Sequence, residues 1–294
     1  MSESTETPGA AVPAVQALAA AGAGRRVIRR HRVTTRIWHW VNLVALTILL
    51  MSGLNIFNAH PRLYWGQFGA DSDRPFLELG ARGSEDDPRG FAEIMGHRIG
   101  TTGILGVSAG PDGDPLIQGF PSWSTLPSWR DLATARRWHF FFAWIFVANL
   151  AAYLAAGLLN GHFRHDIAPR RDELRPRTLA HHVFDHLRLR FPRGEAALHY
   201  NVLQKLAYLG VIFVALPLMV LTGLTMSPGI DAAAPWLLDL FGGRQSARTL
   251  HFLVAGSILF FVVIHLAALL AVGVWNELRS MITGRYVIKE DRPT

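Results

Sequence analysis

The sequence predicts an all-α integral membrane protein: a four-transmembrane-helix bundle with a long extracytoplasmic connection between helices one and two. Three observations lead there. Four stretches, Ile37–Pro61, Trp138–Phe163, Leu206–Ile230 and Thr249–Asn276, hold no charged residue, and each exceeds the ~20 apolar residues that cross a bilayer. Half of the 294 residues are hydrophobic and only 17% are charged, against roughly 25% in soluble domains. The formal charge of +7 comes almost wholly from arginines. They gather beside the apolar stretches, which fits a membrane surface and not a nucleic acid.

The expected spans are about 37–57, 138–159, 203–225 and 249–275. Lipid offers a bare backbone no hydrogen bonds, so runs this long and apolar are helices. Pro217 lies inside the third span and is expected to kink it. Arg25, Arg26, Arg29, Arg30, Arg32 and Arg36 precede the first span. Arg164, Arg170, Arg171, Arg175, Arg177, Arg188, Arg190 and Arg193 join the second to the third. Arg279, Arg285, Lys289 and Arg292 follow the fourth. Excess arginine marks cytoplasmic segments, so both termini are expected to be cytoplasmic.

Residues 1–30 read as a disordered tail, 31–285 as the membrane domain and 286–294 as a short cytoplasmic tail. The outer connection, 62–137, carries eight arginines against ten acids. It is too long for a turn and rich in Gly, Pro and Trp, so it reads as an ordered cap or docking surface. Asp231 and Asp239 flank a short amphipathic stretch expected on the outer surface. No internal repeat is evident.

The absence of cysteine excludes disulfides, iron–sulfur clusters, c-type haem and thiol chemistry. Of thirteen histidines, His39, His139, His251 and His265 lie within or at the edges of spans, where ionisable groups are costly and mark functional sites. His251 and His265 are 14 residues apart on one helix. Fourteen steps of about 100° bring both to one side, roughly 21 Å apart along the axis. Because the spans alternate in direction, His139 and His251 share the outer depth, while His39 and His265 share the inner one.

Two imidazole pairs at two depths suit two b-type haems, each held from both faces. With both axial positions filled, the chemistry is electron transfer and not oxygenation. Haem propionates need cations, and Arg36 lies beside His39, Arg136 and Arg137 beside His139, and Arg248 beside His251. A haem-free transporter using the histidines for copper or zinc, or a passive anchor, stays open on the residues alone. His60, His97, His162, His165, His181, His182 and His186 read as structural or as part of a basic surface.

At R-I-W-H-W (Arg36–Trp40), R-R-W-H (Arg136–His139), Y-N-V-L-Q-K (Tyr200–Lys205) and the pair His251…His265, the chain resembles the bacterial di-haem cytochrome b membrane subunits. These include the gamma subunit of formate dehydrogenase and the cytochromes of nickel–iron hydrogenase and thiosulfate reductase. The resemblance covers about residues 30–285. It implies a four-helix core with two b haems, the inner iron on His39 and His265 and the outer on His139 and His251. It further implies electron exchange between membrane quinone and a periplasmic oxidoreductase partner, by analogy molybdopterin-dependent, docked on 62–137. The candidate quinone residues are His199, Asn201, Gln204 and Lys205. A stand-alone superoxide:quinone oxidoreductase is the alternative on the same fold.

Overall fold

The four charge-free runs fold into four helices long and apolar enough to cross a membrane. The computed structural model describes residues 25–70, 72–110, 112–188 and 201–289. In chain order its helices are α1 (Val33–Asn58), α2 (Leu132–Leu159), α3 (Pro176–Leu187), α4 (Val202–Gly210), α5 (Leu216–Thr225), α6 (Pro228–Ala233), α7 (Trp236–Leu240), α8 (Arg244–Val272) and α9 (Val274–Thr283). The spans are α1, α2, α4 continued through α5, and α8. The chain divides into two compact units. One comprises Trp38–Ala168 and Leu206–Ile264; the other comprises the segments up to Ile37, Pro169–Lys205, and from His265 onward.

In the larger unit the four spans pack around Ala45, Phe146, Leu150, Leu216 and Ile258. A polar bond joins two of them: Asn149 Nδ2 donates to Asn42 Oδ1 at 2.8 Å. Interhelical bonds of this kind contribute on average about 0.6 kcal/mol in membranes. Asp131 caps α2, its carboxylate accepting from the Thr134 N–H at 3.0 Å. That bond holds the Asp131 carboxyl below the usual carboxylate range. The expected bend in the third span takes the form of a π turn at Val211–Ala215, joining α4 to α5. Pro217 has no N–H to return to the carbonyl four residues earlier, so the helix widens just before it.

The outer connection departs from the all-α expectation. It forms an antiparallel sheet in the order β2 (Arg62–Leu63), β3 (Leu77–Gly83), β4 (Pro88–Ile94), β5 (His97–Gly100), beside a hairpin of β6 (Gly106–Ala109) and β7 (Pro115–Gln118). Leu63, Leu79 and Ala92 pack with Phe57 of α1, and Phe252 of α8 lies against the same cluster. The sheet is therefore seated on the end of α1 and the first turns of α8. Arg62 pairs with Glu78 at 3.0 Å; burial opposes its charge, and the Glu78 carboxylate outweighs burial and raises its pKa.

In the smaller unit, β1 (Arg25–Arg29) pairs antiparallel with β8 (Arg285–Lys289), with Val27 opposite Val287. This corrects the expectation that both flanks are tails up to residue 30 and from residue 286. Two short apolar steps, Val27–Ile28 and Tyr286–Val287, were masked by the surrounding arginines. Residues 1–24 and 290–294 of the expected tails lie outside the described residues. Gly273, at φ 116°, ends α8 in the left-handed region that favours glycine, and α9 leaves from there. Asn276 fastens α9 to β8 through bonds with the Val287 carbonyl and N–H, at 2.9 and 3.1 Å.

Candidate functional site

His139 stands two turns inside α2, and its ring reaches α1. Nδ1 lies 3.1 Å from Ser52 Oγ and 3.1 Å from the Leu49 carbonyl. The Ser52 hydroxyl donates to the Ile48 carbonyl one turn back, at 2.6 Å. A hydroxyl owns one proton, so toward the imidazole Ser52 accepts. The proton of His139 is therefore on Nδ1, and Nε2 is left with a bare lone pair.

His251 repeats the arrangement on α8. Its Nδ1 lies 3.0 Å from Thr222 Oγ1 of α5, and that hydroxyl donates to the Leu218 carbonyl at 2.7 Å. Ser52 and Thr222 are both fully buried.

The two imidazoles face one another, with ring centroids 6.3 Å apart and planes at 63°. A metal–imidazole nitrogen bond of about 2 Å, as zinc sites show, would hold the centroids of two rings on one metal roughly 6 Å apart. The pair therefore fits a metal gripped between its two bare Nε2 atoms. The backing is equally tight: a Cβ on Gly53 would lie 3.3 Å from His139 Cε1, and one on Gly223 would lie 3.3 Å from His251 Cε1. A methyl group at either position would crowd the ring, so glycine favours this close approach to the neighbouring helix.

These supports expose an internal repeat that the expectation above missed. Ser52-Gly53-Leu54 on α1 corresponds to Thr222-Gly223-Leu224 on α5. Thr134-Ala135-Arg136-x-x-His139-Phe140 on α2 corresponds to Ser246-Ala247-Arg248-x-x-His251-Phe252 on α8. Ala135 and Ala247 are both fully buried, and Phe146 and Ile258, seven residues beyond each histidine, are both core residues. The third-span and fourth-span elements thus restate the first pair. The repeat is obscured in the sequence because residues 59–131 intervene between α1 and α2, against only residues 226–243 between α5 and α8.

The cations expected at propionates are placed unequally. Arg248 donates to the carbonyls of Arg62 and His60 at 2.8 and 2.6 Å and so ties α8 to the start of the outer sheet. Thr249 adds a bond to the Tyr64 carbonyl at 2.6 Å. Its repeat counterpart Arg136 is exposed, over the Phe140 ring. Arg137 donates to Thr134 Oγ1 at 3.0 Å. Arg36 belongs to the smaller unit, where it donates to the carbonyls of Met281 and Ile282 at the end of α9.

His39 is exposed on α1 in the larger unit, edge-on to Trp40. His265 is half-buried near the end of α8 and belongs to the smaller unit. Among the candidate quinone residues, Asn201 and Gln204 form a reciprocal cap on α4. The Gln204 N–H donates to Asn201 Oδ1 at 2.9 Å and the Asn201 N–H to Gln204 Oε1 at 3.2 Å. Lys205 Nζ bonds both oxygens of Glu173 at 2.9 Å; Glu173 was not among the expected residues. His199 lies outside the described residues.

The sequence model of the prokaryotic cytochrome b561 family matches residues 30–284 of the chain. A protein of Azospira oryzae, provisionally named protein-methionine-sulfoxide reductase subunit YedZ1, is 26% identical over 254 residues, which are 86% of this chain and 96% of that one. No solved structure matches the chain.

Proposed function

The chain belongs to the prokaryotic cytochrome b561 family and is a membrane haem electron-transfer protein, and on that premise we propose that it is the quinone-reactive, di-haem subunit of an extracytoplasmic reductase acting on methionine sulfoxide. The reductase class comes from the name of the Azospira relative. The observation that carries the haem assignment is the facing pair His139 and His251, 6.3 Å apart, each with Nδ1 engaged and Nε2 bare.

A haem bound there would supply a reversible one-electron iron couple. His139 and His251 would hold it through their Nε2 atoms, and the chemistry it would supply between two imidazoles is electron transfer. Arg136 and Arg137 stand at the outer end as partners for its propionates, with Arg248 one turn from His251. The apolar spans exclude water. The second, inner haem is assigned to His39 and His265 with Arg36, on sequence spacing and family resemblance alone.

Quinol gives up two electrons and two protons. Reduction of a sulfoxide takes up two electrons and two protons and releases water. A subunit that accepts electrons near its cytoplasmic end and delivers them outside joins these halves, with the chain set in the inner membrane and both termini cytoplasmic. Asn201, Gln204 and Lys205, with Glu173 and His199, are assigned to quinone. The ordered sheet of the outer connection suits docking of a soluble, molybdopterin-type reductase subunit, a platform that a small diffusing substrate such as superoxide does not need.

Purification of the tagged chain from its native membranes in mild detergent tests this reading. The expected preparation carries a stoichiometric soluble subunit that reduces methionine sulfoxide, and a short-chain quinol reduces its haem. A haem-bearing chain that purifies alone and is reduced by superoxide but not by quinol contradicts it.

A further inference from the structure

We propose that Ser52 and Thr222 are positioning residues that fix the two axial imidazoles of the outer haem, one hydroxyl for each face. The inference rests on the reading of His139 and His251 as ligands, and it concerns residues whose only visible task is to hold those rings. Both hydroxyls commit their single proton to the carbonyl four residues back, at 2.6 and 2.7 Å. Both then have only lone pairs to offer, and both offer them to an Nδ1, at 3.1 and 3.0 Å. A serine or threonine mid-helix that faces lipid gains nothing beyond its own back-bond. These two are fully buried and turned toward a histidine on the next span.

The internal repeat makes the case stronger than either contact alone. Each hydroxyl precedes a glycine, and each glycine stands 3.3 Å, measured from an added Cβ, from the same atom, Cε1, of the ring that the hydroxyl holds. Ser52 meets His139 as Thr222 meets His251. The site is thus a twofold device: a hydroxyl faces each Nδ1–H, and a glycine stands close against each ring. An imidazole that donates its second N–H to a strong acceptor is more basic at the other nitrogen and better oriented toward a metal. The hydroxyls therefore bias the iron toward its oxidised form and lower its potential.

The test uses the purified full-length protein with its haems. Thr222→Val keeps the shape and deletes the acceptor; Ser52→Ala does the same on the opposite face. Each is expected to raise the midpoint potential of the outer haem, leave that of the inner haem in place, alter the low-spin EPR signal that reports the angle between the rings, and release haem to an acceptor protein about tenfold faster. The two shifts should agree in sign and be of similar size. Thr222→Ser and Ser52→Thr retain the hydroxyl and should restore all three readouts. Unchanged potentials, EPR signal and haem release in Thr222→Val and Ser52→Ala, while His251→Ala loses one haem, overturn the inference and leave the ligand assignment standing. A His251→Ala protein that keeps both haems overturns the ligand assignment itself.

Discussion

On the proposed reading, four side chains decide what this end of the bundle can do: His139, His251, Ser52 and Thr222. The histidines were legible in the sequence because an ionisable group inside a span is conspicuous. Their partners were not, because serine and threonine are ordinary residues of membrane helices and the contacts cross between spans. Gly53 and Gly223 carry no signal of their own either: their close approach to the imidazoles appears only once each ring is in place. Gly53→Ala and Gly223→Ala should each press a methyl group into the imidazole at 3.3 Å. The expected result in each variant is partial loss of the same haem and a shifted EPR signal, with helicity by circular dichroism unchanged. Normal haem content in both variants would show that the rings do not depend on the gap.

At the scale of elements, the spans were readable to within a few residues because continuous apolarity has one solution in lipid. The strands were not. Those of the outer connection are two to seven residues long, glycine-rich, and stabilised by packing on Phe57 and Phe252, which no local pattern announces. The start of the third span shows the opposite lesson. The polar residues Asn201, Gln204 and Lys205 stood out in the sequence as quinone candidates, and the structure spends much of their capacity on a helix cap and on Glu173. Burial raises the Glu173 pKa, but the bond from Lys205 and the Arg170 N–H outweigh it and set the value below the ordinary 4.5.

A depressed carboxylate pKa stabilises the fold in full above the unfolded value and ceases to do so as pH falls through the folded one. Glu173→Gln should therefore cost about 1–3 kcal/mol at neutral pH, since the bond it removes links charged groups. The gap between variant and native protein should close below about pH 4. Thermal denaturation in detergent across that range checks it, and a gap that persists unchanged at acid pH would rule out the ion pair as its source.

For the whole molecule, membership of the cytochrome b561 family and four spans agree with the architecture expected from composition alone. The repeat adds what composition could not: the site is built by two helix pairs that present an imidazole in the same way from opposite sides. Arg248 and Thr249 then fasten the outer sheet to the span that carries His251, so the surface proposed for docking is mechanically continuous with the proposed ligand.

The most direct measurement is haem quantitation with a dithionite-reduced minus oxidised spectrum, made on the native protein and on His139→Ala and His251→Ala expressed with ample haem supply. The account predicts two b haems in the native chain and loss of the same single haem from each variant. A colourless native protein, or variants that lose different haems, would contradict it.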